Sequence, residues 1–341
     1  MEYISVILYE CTKKRFTLAS DPKLKAQDSS RELTKALDFL RQHQDATGWF
    51  PYKVGGQPSM EATAWSALAL RQNPDVAKGT AQFLASNQNK DGGWSTEPAA
   101  GRSDWNSGPS MLCLRLLAAE HEEIAKNKDV EKAIKLGLAR LLDSRVEFYQ
   151  PIARLLLLVS QGPKALAYGR GWPWDPDCYH WVEPTVYNLL ALKFPGLPKD
   201  ELYVRIVGFA NQFLLEHACK DGGWNHGNNI TLEQYLPPYR LTTAEALLAL
   251  KDQSENPAVQ SALKYLKSLS DQDTSSLSLA VSALALIAYQ QPAHEEIKYL
   301  INRQKPDGSF ATSIVATALA ALALQADKDS SMHVLNQTKI K

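Results

Sequence analysis

The chain has 341 residues, 45% of them hydrophobic and 22% charged, and its 37 basic and 37 acidic side chains cancel. That length suits one large domain or two ordinary ones. A net charge of zero disfavours a general nucleic-acid scaffold, and no apolar run approaches the ~20 residues of a membrane span.

At the N-terminus the apolar run from Ile4 to Tyr9 is short, interrupted by Ser5 and followed by Lys13-Lys14-Arg15. That charge order is the reverse of a secretory signal. The four cysteines, Cys11, Cys113, Cys178 and Cys219, form no CxxC pair and read as reduced thiols of a cytoplasmic protein.

From residue 30 onward a glycine-aromatic turn recurs: Gly48-Trp49-Phe50, Gly92-Gly93-Trp94, Gly171-Trp172, Gly222-Gly223-Trp224 and Gly308-Ser309-Phe310. The gaps between its aromatics are 45, 78, 52 and 86 residues. Halving the two long gaps implies turns that have lost their signature, near Asp143-Ser144-Arg145 and Ser270-Asp271-Gln272-Asp273. The repeat is then about 40 to 50 residues long.

Two kinds of helix alternate around the turns. Before a turn the apolar residues fall on one face, as in Leu202, Ile206, Phe209 and Phe213, or Val259, Ala262, Leu263 and Leu266 behind the N-cap Asn256-Pro257. After a turn the helix is apolar nearly all round and rich in alanine, as in Ala62–Leu70, Thr243–Leu250 and Thr317–Leu324. One-sided helices belong on the outside of a double layer and all-round apolar helices within it. No sustained period-2 strand pattern appears. The expected architecture is all-α: six to seven helical hairpins in an inner and an outer layer. Residues 1–29 form an N-terminal extension, 30–326 a single domain and 327–341 a tail.

Gln88-Asn89-Lys90-Asp91-Gly92-Gly93-Trp94 resembles the QW motif of squalene-hopene and oxidosqualene cyclases. Cys219-Lys220-Asp221-Gly222-Gly223-Trp224 and Gln304–Phe310 resemble it more loosely. The resemblance spans roughly residues 30 to 325. It implies the α/α toroid shared by class II terpenoid cyclases and protein prenyltransferase β-subunits, with an apolar central cavity for an isoprenoid or similar lipid and acid-initiated cyclisation. The Asp-x-Asp-Asp motif that supplies the acid in those cyclases is absent. Aligning on the Thr near the start of each inner helix puts Glu61 and Glu183 at the position of the motif's middle Asp.

The chemistry is expected in two loops. Gly171–Pro184 carries Trp172, Trp174, Asp175, Asp177, Cys178, Tyr179, His180, Trp181 and Glu183 just before an inner helix. Glu183 is the expected acid, with Asp175, Asp177 and His180 to tune or orient it. Trp172, Trp174, Tyr179 and Trp181 are expected to shape the cavity and stabilise cationic character. The second loop runs from Trp224 and His226 through Tyr235 and Tyr239 to Thr242 and Glu245; Trp224, His226, Tyr239 and Glu61 complete the expected substrate-binding set. Asp175, Cys178, His180 and His226 offer zinc-type donors, but adjacent side chains of a proline-containing loop do not converge on a metal, and no metal or other cofactor is expected. Thioester and Gly-x-Ser-x-Gly motifs are absent. The alternative function is a non-catalytic helical-repeat module that binds a protein or peptide partner.

Overall fold

The computed structural model describes residues 29–335 except 99, 144–154, 157, 161–170 and 270–273. Among the described residues six helices form the inner layer: α2 (Met60–Ala69), α4 (Ser107–Glu120), α7 (Val182–Lys193), α9 (Arg240–Ala249), α11 (Ser276–Ala288) and α13 (Ile314–Lys328). Each packs on the next in that order, and α13 packs back on α2, so the inner layer is a closed ring. The outer layer is α1 (Ser29–Gln42), α3 (Pro74–Ser86), α6 (Lys128–Leu141), α8 (Glu201–Glu216), α10 (Pro257–Ser268) and α12 (His294–Ile301). A single turn, α5 (Glu122–Ala125), sits between α4 and α6. Two short strand pairs, β1 (Trp172–Pro173) with β2 (His180–Trp181) and β3 (Ile230–Thr231) with β4 (Gln234–Tyr235), lie in loops that lead into inner helices. No helix among the described residues is long and apolar enough to cross a membrane.

The glycine-aromatic turns are packing devices. In each, the aromatic backbone N–H donates to a hydroxyl near the start of the inner helix: Phe50 to Thr63, Trp94 to Ser107, Trp172 to Thr185, Trp224 to Thr243 and Phe310 to Thr317. This bond satisfies a buried donor and fixes where the inner helix begins. The Trp94 and Trp224 indoles also donate to Leu84 O and Leu214 O of the preceding outer helices, at 2.8 and 2.6 Å. In the first turn Phe50, not Trp49, fills this position. Asn and Ser side chains cap helix starts at Ser59, Asn73, Asn127, Asn256, Ser275 and Ser313, and the sequence places the cap at Asn256.

Ring closure is specific. Gly308 has a φ of 89° and would place a Cβ 2.3 Å from Lys35 O of α1, so only glycine lets the last turn seat on the first helix. Gln304 donates to Glu32 O at 2.7 Å across the same seam. At the opposite end of the ring, Arg71 binds Gln325 and Met332 O, and Gln325 donates to Ala69 O. Residues 327–335 are therefore docked: α13 runs to Lys328, His333 meets Leu284 O at 2.7 Å, and Val334 and Leu335 are buried. The turns expected near residues 143–145 and 270–273 and the extension before residue 29 lie largely outside the described residues.

Candidate active site

Every loop from an outer to an inner helix ends at the same rim of the ring, so the first turns of the inner helices surround one mouth. Three of these helices carry a carboxyl group near that mouth: Glu61 and Glu183 in the first turns of α2 and α7, and Glu245 in the second turn of α9. Four residues after Glu61 comes Trp65, and four after Glu183 comes Tyr187, on the same helical faces. Helices α2 and α7 are not neighbours, because α4 lies between them, yet the Trp65 and Tyr187 rings approach to 6.1 Å. Both side chains therefore reach into the lumen. Gly108 on α4 permits this by close packing: a Cβ there would lie 2.7 Å from the Tyr187 carbonyl carbon.

Tyr187 is the hub. Its hydroxyl donates to Glu245 Oε1 at 2.7 Å. Its ring lies 5.5 Å from Trp105, which in turn meets Trp174 edge-on at 4.9 Å. Glu245 Oε2 is buried with no hydrogen-bond partner, and so is Glu183 Oε2. Glu183 Oε1 is held by His226 Nδ1 in a short contact, and Thr242 donates to the same oxygen at 3.4 Å.

The approach of His226 to Glu183 is set by backbone. Val182 N donates to His226 O at 2.9 Å, tying the start of α7 to the loop before α9. Asn225 bends that loop by accepting from Gly227 N at 3.0 Å, and Gly227 lies against the Trp181 ring. The His226 ring packs 5.1 Å from Tyr239, while more than half of its side chain faces solvent. A buried carboxyl is thus connected to bulk water through one imidazole.

Electrostatics separate the carboxyl groups. Burial, then the charge of Glu183, pushes Glu245 up to about 8, against the opposing hydrogen bond from Tyr187; Glu61 adds to the rise. Burial pushes Glu61 up to about 7. The Tyr187 hydroxyl is held well above the usual phenol range by burial and by the nearby Glu245 and Glu61. Glu245 is consequently a neutral acid near pH 7. Its Oε1 accepts from Tyr187, and its Oε2 has no hydrogen-bond partner.

The other sequence-derived candidates lie elsewhere. Asp175 and Asp177 are exposed and pair with Arg102 at 3.2 and 2.6 Å. His180 is buried edge-on to Phe213 of α8, outside the ring. Trp172 and Trp224 serve their turns, and Tyr179 is exposed. Trp174 borders the site through Trp105, Tyr239 through His226, and Trp181 through Gly227. Among the described residues no three His, Cys, Asp or Glu side chains converge closely enough to hold a metal ion. A cavity of about 360 Å³ opens at the far end of the ring, lined by Leu37, Arg41, Leu70, Gln72 and Gln325 among others.

Trp65, Trp105 and Tyr187 were not expected from the sequence, and Glu245 entered only as the residue beyond the second loop. The four-residue spacing of Glu61 to Trp65 and of Glu183 to Tyr187 is the signal that could have found the first and last.

No family model and no curated protein matches the chain. Solved structures do. The type II terpene cyclase MstE from Scytonema superposes with a TM-score of 0.58 at 15% identity, covering 89% of this chain and 99% of its own. A novel alpha-amylase from Clostridium perfringens gives 0.61 at 14%, covering 86% and 97%. An unsaturated glucuronyl hydrolase specific for heparin gives 0.56 at 12%, covering 90% and 99%. The fold is the α/α toroid. At these identities the likeness concerns the fold alone, and it embraces enzymes of unlike chemistry.

Proposed function

We propose that this toroid is an acid–base enzyme acting on an apolar, isoprenoid-like substrate at the mouth of the ring. The observation that carries the reading is the buried Glu245, bonded to Tyr187 with its Oε2 unpartnered, near the Glu183–His226 pair and the rings of Trp65, Trp105 and Tyr187. Glu245 Oε2 delivers its proton to a substrate double bond, and the carbocation formed closes on a second double bond. The indole and phenol rings stabilise the cation without offering a nucleophile that would trap it. The Glu183–His226 pair takes up the proton released when the new double bond forms, and His226 passes it to solvent. Glu245 regains a proton before the next cycle, so the product is an isomer of the substrate. Glu183, expected from sequence as the acid, becomes the base in this reading.

A terpene cyclase of the same fold has been solved with geranylgeranyl dihydroxybenzoate as its substrate, which supports a prenylated ligand here. Incubation with squalene, farnesyl diphosphate and geranylgeranyl diphosphate tests the proposal. The expected product has the mass of its substrate and a new retention time, and Glu245→Gln and Glu183→Gln each lower its rate by roughly a hundredfold or more. Unchanged rates in both variants would overturn the assignment.

One observation favours a second reading. Two buried carboxyl groups on separate helices, Glu183 and Glu245, also suit glycoside hydrolysis, in which one protonates the leaving oxygen and the other activates water or attacks carbon. Release of reducing sugar from oligosaccharides, with no isomer formed from any polyprene, would select it.

A further inference from the structure

The lumen has an unbalanced charge design. Glu61, Glu183 and Glu245 enter it from α2, α7 and α9, together with the hydroxyl of Tyr187 and, at the rim, His226. The first two turns of α4, α11 and α13 contain no charged residue. Arg240, at the start of α9, directs its guanidinium to Ser282, Thr274 and Glu296. Three acids thus meet one partly exposed imidazole.

A second, independent feature points to a ligand. Glu183 and Glu245 are each more than nine-tenths buried, and each leaves one carboxyl oxygen without a partner. A buried acceptor left open costs about 1–3 kcal/mol, so such atoms in a native fold call for a partner that arrives later. Among the described residues no three His, Cys, Asp or Glu side chains converge to hold a metal ion. Around the two carboxyl groups stand the rings of Tyr187 and, with centroids 6.1 and 5.5 Å from it, Trp65 and Trp105. Two buried carboxyl groups beside aromatic faces are the surroundings that recognise an organic cation.

We infer that the lumen binds a protonated amine on an apolar body, held by Glu183 and Glu245 and walled by Trp65, Trp105 and Tyr187. The ammonium donates N–H bonds to the open carboxyl oxygens, and the apolar body lies on the rings. Binding changes one protonation state: the amine enters as R–NH3⁺, Glu245 gives its proton to solvent, and the complex holds an ammonium beside a carboxylate. That is the charge state the acid–base reading assigns to its carbocation step. The inference goes beyond that reading, because it requires binding and no turnover.

Calorimetric titration with n-octylamine, n-octanol and n-octyl phosphate tests it near pH 7, in two buffers of different ionisation heat. Octylamine is expected to bind at least roughly tenfold more tightly than the alcohol or the phosphate, and to release close to one proton per molecule bound. Glu245→Gln abolishes the proton release, and Glu183→Gln weakens octylamine roughly tenfold while leaving octanol unchanged. Equal binding of amine and alcohol, or amine binding without proton release in the unaltered protein, would overturn the inference. Both measurements on the unaltered protein stand even if a variant fails to fold. Amine binding without isomer formation would refute the proposed function alone, and isomer formation without amine binding would refute this inference alone.

Discussion

Replacing Glu245 by Gln turns the electrostatics of the mouth into a stability measurement. Glutamine keeps an acceptor for the Tyr187 hydroxyl and stays neutral, so it mimics the protonated acid. Burial and Glu183 move the native carboxyl from 4.5 to about 8. In the unfolded chain it returns to its ordinary value. A group raised in this way contributes stability that is fully present below the unfolded value and is lost as pH rises through the folded one. At about 1.4 kcal/mol per pH unit, with the titration rounded at either end, Glu245 should cost the native protein about 3–4 kcal/mol between about pH 5 and about pH 8, and little more above that. Glu61, pushed up to about 7, adds a loss of the same sign, but it is present in both proteins and largely cancels in their difference. Urea unfolding followed by far-UV circular dichroism at several pH values measures the two curves. Glu245→Gln should overtake the unaltered protein in relative stability as pH rises across this window. Parallel curves would refute the reasoning, because they would mean that the carboxyl ionises in the fold as readily as in water.

Two further predictions concern the frame. Trp94→Ala removes a fully buried indole and its bond to Leu84 O, and should cost about 3–5 kcal/mol in the same assay, whereas exposed Tyr52→Ala should cost under about 0.5. Gly308→Ala and Gly55→Ala both place a side chain at positive φ, but only at 308 would the Cβ meet backbone, at 2.3 Å. Gly55→Ala should therefore lose only the ~1–2 kcal/mol of left-handed strain, and Gly308→Ala distinctly more, through opening of the seam between α12 and α1. Equal losses would show that the last turn does not need that close approach.

The frame was legible because its signals are local. Trp94 and Trp224 announce their turns, Asn256-Pro257 announces a helix start, and the contrast between one-sided and all-round apolar helices separates the layers. The site was legible only where a helix start exposes a lone acid, as at Glu61 and Glu183, or where a turn carries an unusual side chain, as at His226. Tyr187 and Trp65 escaped notice because a helix apolar on every face does not reveal which face meets the lumen. Glu245 belongs with Glu183 only once the ring closes, since 62 positions of chain separate them. Density of ionisable groups misdirects in the Gly171–Pro184 loop: Asp175 and Asp177 find their charge partner in Arg102, across the surface and far away in sequence.

Infrared difference spectroscopy of the carboxylic C=O stretch, comparing the unaltered protein with Glu245→Gln, probes the neutral acid in the lumen without denaturant or ligand. A band from a protonated carboxyl should persist at about pH 7, fade as pH passes about 8 and be missing from the variant. A spectrum without that band at neutral pH, or one that the substitution leaves unchanged, would contradict a proton stored on Glu245.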